Sequence, residues 1–221
     1  CLPFQDIEVE GLAAAAQAGV TELGPLVRVT FREEHMVEPR SLDAHFVLQD
    51  YYERPENYQG VFEQYLPHLA VLMNTIYWEE RYPRLMTRKW ARVRWSEGRQ
   101  PRLQVIGDIS CDIEGGIELT VKAPQPDNPC YVHEPRSGAV LDGVVGDGPV
   151  IMAVDNLPCE LPREASEHFG EVLKDMVPDL ARCDFDSDFA GLHLPPHLKK
   201  AVICHRGELA PDYEYLREHL D

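Results

Sequence analysis

The chain has 221 residues, 44% of them hydrophobic, enough to bury the core of one or two globular domains and to set wholesale disorder aside. Its formal charge of −17 argues against a nucleic-acid partner, because a phosphate backbone needs clustered Lys and Arg. No apolar run reaches the roughly 18 residues of a membrane-spanning helix, and the acidic opening followed by the small-residue stretch 11–20 does not read as a signal peptide.

In chain order, residues 2–8 read as a short strand. An alanine-rich helix follows over residues 12–18, with Gly19 able to stop it. Residues 26–31 alternate, placing Val27, Val29 and Phe31 on one face of a strand. Residues 32–57 are charged and loop-like, anchored by Tyr51, Tyr52 and Pro55, and residues 58–65 look helical. Residues 69–76 (LAVLMNTI) form a continuous apolar run, as expected of a strand buried on both faces of a parallel sheet, and residues 103–109 give a second. Strand, helix, strand, loop, strand is the rhythm of a doubly wound α/β sheet.

From Ile117 the texture changes. Residues 117–121 and 150–154 read as short strands separated by a Pro- and Gly-rich stretch of turns. Pro162 opens a helix, with Ala165, Phe169, Val172, Leu173 and Met176 on one face. Residues 181–196 resemble an acidic linker, and residues 197–204 and 213–219 close the chain. The six cysteines (Cys1, Cys111, Cys130, Cys159, Cys183, Cys204) form no C-x-x-C pair, so reduced thiols in a cytosolic protein are expected and a metal site is not.

Two polar strand ends are candidates for chemistry. Gly107-Asp108-Ile109-Ser110-Cys111-Asp112-Ile113-Glu114-Gly115-Gly116 delivers two aspartates into a turn that ends in a glycine pair. Ligands of open α/β sheets sit beyond the carboxyl ends of strands, so Asp112 is placed to hydrogen-bond a carboxamide or to move a proton. An Asx-turn ending the strand explains the same residues without a ligand. Val154-Asp155-Asn156-Leu157-Pro158 is the second strand end, shortly before a helix N-terminus, and an ordinary helix cap is its plain alternative. A basic island (Arg81, Arg84, Arg88, Lys89, Arg92, Arg94, Arg99, Arg102) either faces an anion or solvates as a charged surface loop. The sequence contains no G-x-G-x-x-G, no H-E-x-x-H and no G-x-S-x-G.

Together with Asn74-Thr75-Ile76-Tyr77-Trp78-Glu79, Pro162-Arg163-Glu164-Ala165-Ser166-Glu167-His168-Phe169-Gly170 and Arg206-Gly207-Glu208-Leu209, these segments resemble the lysine-ketoglutarate reductase portion of the bifunctional aminoadipic semialdehyde synthases, the plant type more closely. The similarity runs in order over nearly the whole chain. The resemblance implies a partial Rossmann-like parallel sheet: residues 1–154 as the rear part of a nucleotide-binding domain, and residues 155–221 as a helical segment returning to the substrate domain. It implies condensation of L-lysine with 2-oxoglutarate and reduction of the imine by NADPH to saccharopine. It also assigns Tyr77, Ile109, Ser110, Cys111, Asp112, Asp155, Asn156 and Leu157 to the cofactor, with Asp112 also catalytic. By that likeness, the phosphate turn precedes Cys1 and the acid/base Lys and His lie outside the chain, which would leave these residues inactive alone. Glu8 and Glu10, near the end of the first strand, suit NAD; the family branch suits NADP, which is the expectation kept. The expected compartment is cytoplasmic, with mitochondrial the alternative, and homo-oligomers are allowed. An alanine dehydrogenase-like NAD enzyme and a non-catalytic interaction module are the competing readings.

Overall fold

The computed structural model describes residues 4–18, 26–98 and 101–220, so Cys1, Gly19 and Arg99 of the sequence reading lie outside the described residues. It is a mixed α/β structure that divides into two compact units, Cys1–Leu157 and Pro158–Asp221. In the first unit the chain runs through β1 (Phe4–Asp6), α1 (Leu12–Ala18), β2 (Leu26–Arg28), α2 (Glu33–Met36), β3 (Val37–Pro39), α3 (Leu48–Glu53) and β4 (Tyr58–Gly60). It continues through β5 (Val71–Asn74), α4 (Arg88–Ser96), β6 (Val105–Asp108), β7 (Cys130–His133), β8 (Val140–Asp142) and β9 (Val150–Met152). β1 and β2 form a small parallel pair, and β3 and β4 an antiparallel one.

The main sheet has five strands in the order β5-β6-β9-β7-β8. The first three are parallel, and β7 joins β9 antiparallel. Register explains why it is stable. Leu72 stands opposite Ile106, Ile106 opposite Ile151, and Ile151 opposite Tyr131, so one apolar row crosses four strands. All four side chains are buried, each contributing about 1.5–3 kcal/mol by leaving water. α4 packs in the same core through Ala91 and Trp95, four residues apart on one face. Thr87 caps that helix, its Oγ1 accepting from Trp90 N at 3.1 Å.

The other face of β5 is open. Val71 and Met73 are 53% and 57% exposed, so β5 is buried on one face, not on both as its apolar run suggests. Hydrophobicity reports composition; only tertiary packing decides whether the second face is covered. Four further expectations need correction. Residues 58–65 form β4 and a short 3-10 turn (Phe62–Gln64), because Tyr58–Gly60 pairs with Val37–Pro39. Residues 117–121 are turns with one bridge, Met86 to Ile117, not a strand. The Gly- and Pro-rich stretch before residue 150 contains the β7–β8 hairpin, whose connection carries Gly138 at φ 76°. The segment 32–57, read as loop, holds α2, β3 and α3 around an aromatic cluster of Phe46, Tyr51, Tyr58 and Tyr82.

The second unit holds α5 (Pro162–Leu173), α6 (Val177–Arg182), α7 (Pro196–Lys200) and the hairpin β10 (Cys204–His205) to β11 (Glu208–Leu209). Arg206 and Gly207 turn that hairpin with φ of 52° and 84°, the two left-handed positions of a type I′ turn. The apolar stripe of α5 is where periodicity puts it, but Phe169 and Val172 are 64% and 50% exposed.

Candidate functional site

The parallel arrangement brings the carboxyl ends of β5, β6 and β9 to one edge of the sheet. Asn74 lies opposite Asp108, and Gly107 opposite Met152, so the three following loops start side by side. Residues two apart share a face of a strand; Asn74 and Asp108 therefore continue the side that carries Leu72 and Ile106. Both are buried, at 2% and 1% exposure. A carboxylate out of water needs its oxygens filled. Asp108 Oδ1 accepts from Asn74 Nδ2 at 2.9 Å and from Cys111 N at 3.2 Å, and Oδ2 accepts from Thr120 Oγ1 at 2.5 Å. Asp108 thus organises the turn that follows it.

That turn is tied down on the β5 side. Ile109 N and Ser110 N donate to Asn74 O at 2.8 and 3.4 Å, and Ser110 Oγ donates to Ile76 O. On the β9 side, the Cys111 thiol donates to Ala153 O at 2.9 Å. Cys111 and Glu114 both adopt left-handed backbone, with φ of 54° and 53°. Two such non-glycine residues in one short turn store strain, which persists where the surroundings hold it.

Arg84 supplies part of the hold. Its Nε donates to Gly115 O and its Nη2 to Glu114 O, both at 3.1 Å, while its guanidinium lies 5.1 Å from the centre of the Trp78 ring. Gly115 and Gly116 lie against Trp78: a Cβ on Gly115 would come within 2.5 Å of Asp112 Cβ and 3.0 Å of Trp78 Cε3. The basic island is largely exposed to solvent, and at these positions its side chains are engaged in ion pairs and hydrogen bonds. Arg84 and Arg88 pair with Glu118 and Glu114, Arg81 with Glu79, and Arg102 donates to Ala16 O at 2.8 Å.

The expected site residues fall on these three loops. Ile109, Ser110, Cys111 and Asp112 are half-buried in the loop after β6, whereas Asp155 and Asn156 are exposed and Leu157 half-buried after β9. Tyr77 is 76% exposed after β5, its hydroxyl donating to Glu79. Burial, then the nearby Asp108 charge, raises the Asp112 carboxyl above its ordinary value. Burial and the charges of Asp108, Asp155 and Asp112 likewise raise the Cys111 thiol. The edge therefore offers a half-buried acid, exposed amide and carboxylate groups, and a glycine pair near an aromatic ring. Glu8 and Glu10 are exposed just beyond β1. Among the described residues no group of three or more His, Cys, Asp or Glu converges to hold a metal, and Cys111, Cys130, Cys159, Cys183 and Cys204 are free thiols.

Sequence reasoning did not assign Asn74, Thr120 or Arg84 to this edge, and treated Asp108 only as part of a motif. Each acts through register or through a long-range contact, and neither can be read from spacing.

No family model matches the chain. It aligns at 41% identity over 186 residues with the alpha-aminoadipic semialdehyde synthase of Arabidopsis thaliana, covering 83% of this chain and 17% of that protein. It aligns at 29% identity over 231 residues with the mitochondrial alpha-aminoadipic semialdehyde synthase of Bos taurus, covering 98% of this chain and 24% of the relative. The Mus musculus counterpart, also mitochondrial, is 30% identical over 232 residues, 97% of this chain and 25% of its own length. The chain thus spans from 17% to 25% of the length of these relatives. No described helix is long and apolar enough to cross a membrane.

Proposed function

We propose, from the premise that this chain belongs to the alpha-aminoadipic semialdehyde synthase family, that it builds the nicotinamide end of the nucleotide-binding domain of a lysine-degrading oxidoreductase. In the whole protein, the ε-amine of L-lysine condenses with the keto carbon of 2-oxoglutarate, releasing water. NADP, when bound in reduced form, supplies the hydride that converts the imine to saccharopine. The observation that carries this reading is the register of β5, β6 and β9, which starts the three loops side by side at the carboxyl edge of a parallel sheet.

The chain's own residues have distinct parts in this reading. Ile109, Ser110 and Cys111 line the β6 side of the seat, Leu157 the β9 side and Tyr77 the β5 side. Asp155 and Asn156 offer an acceptor and an amide to a carboxamide. Asp112 handles a proton; its carboxyl is half-buried beside the seat, and burial, then the Asp108 charge, raise its pKa in the direction that favours the protonated form. NADP is retained over NAD, although exposed Glu8 and Glu10 would sit more easily beside an unphosphorylated ribose. The compartment in this reading is cytoplasmic or mitochondrial, the latter being that of the Bos taurus and Mus musculus relatives.

The test is saccharopine formation by the full-length parent carrying Asp112→Ala. A kcat lowered about 100-fold or more, with the fold intact, is expected of a lost proton-transfer group. An unchanged kcat would remove Asp112 from the chemistry. Parallel titrations with NADPH and NADH decide the cofactor.

A further inference from the structure

We infer that Cys111 is a positioning residue, whose thiol clasps the loop after β6 to the loop after β9 and so sets the width of the seat between them. The functional consequence rests on the cofactor reading above; the clasp itself rests on geometry.

The β6–β9 ladder ends at Gly107 and Met152. Beyond that pair the two loops have no backbone bond to one another among the described residues, and the Cys111 Sγ to Ala153 O contact at 2.9 Å is the single hydrogen bond that joins them. The loop after β6 is held differently on its other flank, where Ile109 N, Ser110 N and Ser110 Oγ all bond to the β5 end. One flank is fixed by three bonds, the other by one thiol.

Chemistry sets the direction of that bond. A carbonyl oxygen only accepts, so the sulfur must carry its proton and donate. A thiolate beside the Ala153 carbonyl would repel it. The charged groups that face the thiol are Asp108 from the end of β6, Asp112 from its own loop and Asp155 from the loop after β9; all three, together with burial, favour the protonated form. The backbone argues the same way. Cys111 occupies a left-handed position, φ 54°, that glycine fills without penalty. A β-carbon there is strained, and the clasp, together with packing of Cys111 against the core, offsets that cost.

Hydrogen exchange of the intact chain tests the inference, followed by mass spectrometry of peptides covering residues 105–116 and 148–157, which include the ladder amides at the base of both loops. Cys111→Ala should lower protection of residues 150–152, where the ladder ends beside the clasp, about fivefold, the effect of one lost hydrogen bond. Cys111→Ser, which keeps a donor, should stay within about twofold of the parent. Cys111→Gly relieves the backbone while losing the thiol, so it should loosen the same segment without lowering thermal stability. Protection of residues 150–152 in the unmodified chain should also fall as alkaline pH ionises the thiol, and should not fall in Cys111→Ser. Unchanged protection in Cys111→Ala, or equal loosening in Ala and Ser variants, would overturn the clasp. An NADPH titration of the full-length protein run alongside separates the two ideas: no binding by any form defeats the cofactor reading, while the exchange data still decide the clasp.

Discussion

Asp108 gathers donors from three separate places in the chain, Asn74 at the end of β5, Cys111 in the following turn and Thr120 twelve residues on. Removing one member of such a buried set leaves the others without partners. Asp108→Ala should therefore destabilise the chain by about 3 kcal/mol in urea unfolding, with Asp108→Asn less damaging because it keeps one acceptor oxygen. Asp112 behaves in the opposite sense. Its folded-state pKa is raised above the ordinary 3.8, so folding favours the protonated form: that contribution is fully present below the unfolded pKa and is lost as pH rises through the folded value. At pH 7.5, Asp112→Asn should then raise the melting temperature by about 1–2 °C, a gain that shrinks as the pH falls toward 4. A melting temperature equally shifted at both pH values would contradict the assignment. The loop that carries Asp112 was legible in the sequence as a strand end, since the segment closes an apolar run with a Gly pair. The partnership of Asn74, Asp108 and Thr120 was not, because it depends on which residue of one strand stands opposite which residue of the next.

At the scale of elements, the loop after β6 is shaped by what lies beneath it. Gly115 has no room for a side chain, with Asp112 Cβ at 2.5 Å and Asp112 O at 3.0 Å from where a methyl would sit. Gly115→Ala should cost about 1–3 kcal/mol and weaken NADPH binding more than Gly116→Ala, whose added carbon meets Trp78 no closer than 3.4 Å. Calorimetry of the two variants checks the ranking. The strands β5, β6 and β9 and the helix α5 were visible as hydrophobic runs and periodicity, within a few residues of their true bounds. The hairpin β7–β8 hid among glycines and prolines, because turn signals outweigh two short strands of three and four residues. Tyr58–Gly60 reads as helix by local pattern and becomes a strand because β3 is there to pair with it. Such tertiary override is expected wherever an element is too short to declare itself.

Each of the two units exposes apolar surface. Parallel sheets are ordinarily packed on both faces, yet Val71 and Met73 lie open on β5, and Phe169 and Val172 lie open on α5. The same surface gives the interaction-module reading its physical basis. Val71→Lys combined with Met73→Lys should lower the fluorescence of a bound apolar dye such as anilinonaphthalene sulfonate and reduce concentration-dependent association in light scattering. If neither changes, this face is not the sticky one. The general α/β class and the lysine-pathway likeness were legible because they rest on ordered motifs along nearly the whole chain. Coverage of the sheet face was not, since apolar residues look alike in sequence whether or not something packs on them.

In the proposed function, three neighbouring loops form one seat for a flat redox ring. Amide chemical shifts of the full-length protein, isotopically labelled in this segment and followed during addition of NADPH, examine that most directly. Saturable changes confined to residues 74–78, 109–116 and 153–157 are predicted. Changes in only one of these loops, or scattered over the surface without saturation, would contradict it.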